Sequence, residues 1–136
     1  MFGIATALLL IAAGRWIIKN FVLFQNYCVN KAEFINDNKI AYTTVYKKDL
    51  EKFNYNGDDF TDGLTEKLRA IKSTKVAFVV KELNQNLSKV SMRSRQKDIA
   101  KVCCAFGGGG HKLAAGAVIK ADVDSAVGMI LEELKK

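Results

Sequence analysis

Hydrophobic patterning divides the chain into two unequal parts. Residues 2–14 are apolar or small throughout, and Trp16, Ile17, Ile18 and Phe21 to Phe24 extend the run past Arg15 and Lys19. This predicts a single helix, apolar on most of its circumference, that is buried against something. From residue 32 the periods shorten. Glu33–Ile35 and Ile40–Val45 are β-prone runs around Asn36-Asp37-Asn38-Lys39, which predicts a hairpin. Residues 47–53 suit a short helix and residues 55–59 a loop. Leu64, Leu68 and Ile71 recur at i, i+4 and i+7 behind Thr61 or Asp62 as N-caps, the mark of an amphipathic helix.

Residues 75–81 hold Val-Ala-Phe-Val-Val, too short and β-branched for a helix, and read as a buried strand. Asn84-Gln85-Asn86 turns the chain into residues 87–93, which alternate. Val90 and Met92 share one face, while Lys89, Ser91, Arg93 and, if the strand persists, Arg95 share the other. After Asp98, the positions Ile99, Val102, Cys103 and Phe106 define a helix that Gly107 ends as a C′ residue. Residues 117–119 make a brief strand. Val123, Val127, Ile130 and Leu134 then line a final helix. Strands and helices alternate only in part, so the expected class is α+β with α/β character: a mixed, mostly antiparallel sheet covered by helices and preceded by the apolar N-terminal helix. Residues 1–31 form that helix and residues 32–136 the domain.

A membrane span or secretory signal competes for the opening run. Its uncharged stretch is only 13 residues long, and a span reaching Phe24 would place Arg15 and Lys19 near its middle at roughly 2.5–3.5 kcal/mol each. No basic residue precedes it, as a signal would require. The membrane is therefore not the expected partner. The net charge of +7, from 21 Lys+Arg against 14 Asp+Glu, leans toward phosphate-bearing partners. Cys28, Cys103 and Cys104 include no C-x-x-C pair, and an odd count is no disulfide framework, so a reducing cytoplasm is the expected setting. Two adjacent cysteines and one histidine cannot complete a tetrahedral zinc site.

The chemistry concentrates in residues 107–116, Gly-Gly-Gly-Gly-His-Lys-Leu-Ala-Ala-Gly, which include the only histidine. Glycines expose backbone N–H groups that can converge on an anion, and a helical turn over residues 112–115 would add its N-terminus. The alternative is a turn whose glycines merely reverse the chain. The segment is no Walker loop, since His111 precedes Lys112 and Leu113 follows it. It is no dinucleotide fingerprint either, since a helix and not a strand precedes it. His111 can donate to a phosphate or cap the loop's own carbonyls. Arg93 offers a guanidinium fork and Ser91 a hydroxyl on the same face. Ala114, Ala115 and Gly116 permit close approach by a ligand or by packed backbone.

The string Gly107 to Gly110, His111, Lys112, Ala114, Ala115, Gly116, preceded by Ser91-x-Arg93-Ser94 and by Ile99-Ala100-Lys101 to Phe106, resembles the substrate-binding C-terminal domain of DHH-type phosphoesterases. It is most similar to the branch with nanoRNases, which degrade short oligoribonucleotides and remove the 3′-phosphate from 3′-phosphoadenosine 5′-phosphate. The resemblance runs from about residue 32 to the C-terminus. It implies that the His111 loop and Arg93 bind the phosphate and sugar of a short RNA or nucleotide; with Ser91 from the strand-face reading, the expected binding residues are Ser91, Arg93, Gly108, Gly109, Gly110, His111, Ala114, Ala115 and Gly116. It further implies two Mn²⁺-type ions in a separate N-terminal DHH domain, the chain's own partner. No Asp-His-His occurs here, and with one histidine no two-metal site can be assembled, so this chain alone is expected to be inactive, with no catalytic residue, metal or cofactor of its own. Leu113 stands where the family often has Asn. On this resemblance residues 1–31 are the tail of an interdomain helix, whose exposed apolar surface would favour a homodimer. A membrane-tethered nucleotide-binding module and a structural docking domain are the competing expectations.

Overall fold

The computed structural model describes residues 3–54, 61 and 63–136. Its elements are α1 (Gly3–Asn30), β1 (Glu33–Ile35), β2 (Ile40–Val45), α2 (Lys47–Lys52), α3 (Leu64–Arg69), β3 (Val76–Asn84), β4 (Leu87–Ser94), α4 (Ile99–Cys104), β5 (Gly109–His111), β6 (Ala114–Ile119) and α5 (Val123–Leu134). The strands form one sheet in the order β1-β2-β3-β4-β6-β5. Neighbours run antiparallel except β2 and β3, whose parallel pairing requires the crossover that contains α2 and α3. The sheet is thus mixed and mostly antiparallel, with helices packed around it and an N-terminal helix before it.

Period-two alternation sends side chains to two cores. Val76, Phe78, Val80, Val90, Met92, Ala115, Ala117 and Ile119 pack against α4 and α5, together with Ile99, Val102, Ile130 and Leu134. On the other face Ala41, Val45, Ala77 and Val79 meet Leu64 and Leu68 of α3, Leu50 of α2, and Phe24 and Cys28 of α1. Each large aliphatic or aromatic side chain buried in this way contributes about 1.5–3 kcal/mol. The β1–β2 turn holds Asn36, Asp37 and Asn38 at φ of 52°, 57° and 66°, left-handed conformations that short polar side chains tolerate best.

Several boundaries differ from the expected ones. Gly63, at φ 77°, caps α3 in place of Thr61, and the helix ends at Arg69, leaving Ile71 36% exposed beyond it. Asp62 and the loop expected at 55–59 lie outside the described residues. Strand β3 runs on to Asn84, and β6 begins at Ala114. Most consequential, residues 112–115 form no helical turn. Gly109–His111 and Ala114–Ile119 pair as a hairpin, whose tip carbonyls at Lys112 and Leu113 accept from Ile99 N (2.9 Å) and Ser94 N (3.0 Å).

Helix α1 is 28 residues long, about 42 Å, and only its last turns are buried by the domain. Phe24, Gln25 and Cys28 lie in the interior, and Thr43 Oγ1 donates to the Cys28 carbonyl at 2.7 Å. Toward the N-terminus Ile4 is 74% exposed, Leu9 71% and Trp16 51%. The cover expected for this apolar helix is therefore not supplied by the described residues of this chain.

Candidate functional site

Strand pairing assembles the candidate residues. Arg93 of β4 stands opposite Ala114 of β6, which stands opposite His111 of β5; in the next row Ser91 opposes Gly116, and Gly116 opposes Gly109. Directly opposed residues share a face, so Ser91, Arg93, Ala114, Gly116, Gly109 and His111 all project from the sheet face that carries α3. Two strand spacings, about 10 Å, separate the backbones of Arg93 and His111. Between them lies a floor with no side chain larger than a methyl. A phosphate or sugar can therefore approach the backbone between a guanidinium on one side and an imidazole on the other.

Not every glycine of the motif serves this floor. A Cβ on Gly108 would stand 2.5 Å from Ala117 Cβ, and one on Gly110 would stand 2.7 Å from Ala114 O, so both are required for β5 to lie close against β6. Gly110 also adopts φ 142°. A Cβ on Gly109 would meet nothing within 4 Å; this glycine opens onto the candidate site. Gly107, at φ 80°, closes α4 as the sequence predicts: the N–H of Gly108 donates to Cys103 O (2.9 Å) and that of Gly107 to Cys104 O (3.0 Å). Ala115 turns its side chain into the core, and only its backbone is left to meet a ligand.

Arg93 is half-buried and already engaged. Its Nε donates to Glu66 Oε1 at 2.8 Å and its Nη1 to the Met92 carbonyl at 2.8 Å, with Ser91 Oγ at 3.5 Å. These contacts hold the guanidinium over the sheet beside a cleft of about 300 Å³ between α3 and β3–β4, lined by Thr65, Glu66, Val79, Lys81, Ser91 and Arg93 among others. Glu66 and Thr65 were not evident as site residues in the sequence, because only the crossover of α3 onto the sheet brings them there. Lys89 lines the cleft as well. Arg95 does not: it lies past the end of β4 and donates to the carbonyls of Thr74 (2.7 Å) and Arg69 (2.9 Å), tying down the end of α3. His111 is exposed. Among the described residues, no group of three or more His, Cys, Asp or Glu side chains is placed to hold a metal ion.

The DHHA1 domain model matches residues 37–136. An exopolyphosphatase-related protein from Bacteroides fragilis has the same fold at a TM-score of 0.78 and 21% identity, over 85% of this chain and 34% of that one. A pGpG-specific phosphodiesterase from Vibrio cholerae aligns at 0.57 and 14% identity, over 89% of this chain and 41% of its own length. The C-Ala domain of alanyl-tRNA synthetase from Aquifex aeolicus aligns at 0.55 and 18% identity, over 78% of this chain and 99% of that one. This chain thus spans between a third and a half of the first two proteins.

Proposed function

Residues 37–136 make this chain a member of the DHHA1 domain family, and from that premise we propose that it is the substrate-recognition domain of a metal-dependent DHH-type phosphoesterase. In this reading it holds the phosphate and sugar of a short oligoribonucleotide or of 3′-phosphoadenosine 5′-phosphate, as the nanoRNase branch does. The observation that carries the proposal is the cross-strand row Arg93–Ala114–His111, flanked by the bare floor of Gly116 and Gly109. A guanidinium gives directional, charge-assisted bonds to phosphate oxygens, Ser91 adds a hydroxyl, and the uncovered floor lets the ligand lie flat. Glu66 keeps Arg93 oriented until a phosphate takes its place. Two of the similar folds carry names that refer to phosphate-linked substrates, which supports the chemical class.

Hydrolysis is assigned to a separate N-terminal DHH domain with two Mn²⁺-type ions, and no chemical step is assigned to this chain. The apolar length of α1 would pack at the junction with that domain or against a second copy, in the cytoplasm. One observation favours a membrane-tethered module instead: Ile4–Asn30 is long and apolar enough to cross a membrane, and outside its last turns it is almost wholly uncovered by the described residues. Recovery of the gene product only in the membrane fraction would establish that alternative.

Titration with adenosine 5′-monophosphate tests the binding role. Arg93→Ala and His111→Ala should each weaken saturable binding by about 1.5–3 kcal/mol, the value of a charge-assisted hydrogen bond. Equal affinity in all three proteins would contradict the proposal and favour a structural docking domain.

A further inference from the structure

Where β4 ends, the chain enters the rim of a second cavity, of about 540 Å³, at the end of the sheet. Ile40, Val76 and Leu134 form its apolar floor, Lys39, Lys75, Arg95 and Lys97 surround it, and among the described residues no carboxylate lines it. Two of these cations have structural tasks. Arg95 binds the carbonyls at the end of α3, and Lys97 Nζ donates to the Leu134 carbonyl at 2.9 Å. Lys39 and Lys75 are exposed, and neither has an ion pair or side-chain hydrogen bond among the described residues. Arg69, whose carbonyl accepts from Arg95, does not line the cavity, and its buried Nε has no acceptor among the described residues. Like charges gathered around an apolar floor repel one another, and an anion relieves that repulsion. The volume lies within the range of about 300–1,000 Å³ typical of small-ligand sites, and an apolar floor with a few polar groups is their usual lining.

The floor of this cavity belongs to the α4–α5 side of the sheet, opposite the face of Arg93 and His111, and it opens at the end of the sheet where β4 stops. Arg95 follows Arg93 by two residues, about 7 Å of extended chain. The hairpin tip that carries His111 lies at the same end of the sheet, since Leu113 O accepts from Ser94 N. We infer that this cavity is a second nucleotide subsite, which takes the neighbouring unit of a single-stranded oligoribonucleotide whose end is held at Arg93 and His111. The base rests on the aliphatic floor and the phosphate meets Lys39 and Lys75. This inference rests on the proposed function above and extends it: the chain selects a strand of two or more nucleotides over a mononucleotide.

The test compares adenosine 5′-monophosphate with oligoadenylates of two to five nucleotides, using the chain as it stands, its Lys39→Gln/Lys75→Gln double variant and Arg93→Ala. Affinity of the unmodified chain should rise about tenfold or more from the mononucleotide to the trinucleotide, a gain of about 1.4 kcal/mol. The double variant should bind the mononucleotide normally and lose that rise. Its trinucleotide salt slope should also be shallower by about 0.7 for each lysine replaced. An unchanged rise and an unchanged slope in the double variant, with mononucleotide binding still dependent on Arg93, would overturn the second subsite alone. Mononucleotide binding that ignores Arg93→Ala would overturn the underlying reading and the subsite with it.

Discussion

Three adjacent glycines of the motif, alike in sequence, meet different surroundings, and their substitutions should separate accordingly. Gly110 combines φ 142° with backbone of β6 at 2.7 Å from any Cβ it might carry. Gly110→Ala should therefore cost more than about 2 kcal/mol of stability through strain and overpacking. Gly108→Ala should behave alike, since Ala117 stands against it. Gly109→Ala, with open space before it, should leave stability within about 1 kcal/mol of the parent and weaken nucleotide binding by obstructing the floor. Denaturant unfolding beside an adenosine 5′-monophosphate titration checks all three; a destabilised Gly109→Ala or a fully stable Gly110→Ala would contradict the assignment. The shared face of Ser91 and Arg93 was legible from alternation along one strand. The division among the glycines was not, because it depends on which residues of β6 lie behind each one. Glu66 was equally hidden, being one of many helix-surface acids until α3 sets it 2.8 Å from Arg93.

Among the elements, α2 is short and owes its position to one carboxylate. Asp49 accepts from the Tyr46 N–H (2.9 Å), Lys31 Nζ (2.9 Å) and Tyr27 Oη (3.0 Å), joining the start of α2 to the end of α1. Burial by itself would raise its pKa, but the bonds from Lys31, Tyr46 and Tyr27 outweigh this and hold the carboxyl below its ordinary range. A depressed carboxylate contributes stability above its unfolded-state pKa and loses it as pH falls through the folded value. Asp49→Asn should thus cost about 1.5–3 kcal/mol at pH 7, with the deficit against the parent shrinking at pH values below about 4. Urea unfolding of both proteins at pH 7 and at pH 3 measures it; an equal deficit at both would show that charge is not the cause. Element type followed the sequence pattern where periodicity was long, as in β2, β4 and α5. It failed at residues 112–115, where the Lys-Leu-Ala-Ala composition favours helix. Pairing with β4 and β5 overrides that preference.

At the scale of the whole molecule, α4 and α5 cover one sheet face, whereas on the other α3 packs chiefly over β2, β3 and β4. Val118 is left 48% exposed there, beside the candidate site, and the N-terminal length of α1 stands clear of the domain. Both are surfaces that the proposed companion domain would cover. Because Phe24, Gln25 and Cys28 make the buried contacts of α1, deletion of residues 1–18 should shift the melting temperature by no more than a few degrees while reducing self-association in sedimentation. A large loss of stability would instead give the exposed turns a role within the fold.

In the proposed function a nucleotide phosphate is held between Arg93 and His111 over a glycine floor. A two-dimensional ¹⁵N–¹H nuclear magnetic resonance titration with adenosine 5′-monophosphate tests this most directly. Saturable shifts should centre on the backbone amides of Ser91, Arg93, Gly109, His111 and Gly116 and spare α5. No saturable shift, or shifts centred on the α4–α5 face, would contradict it.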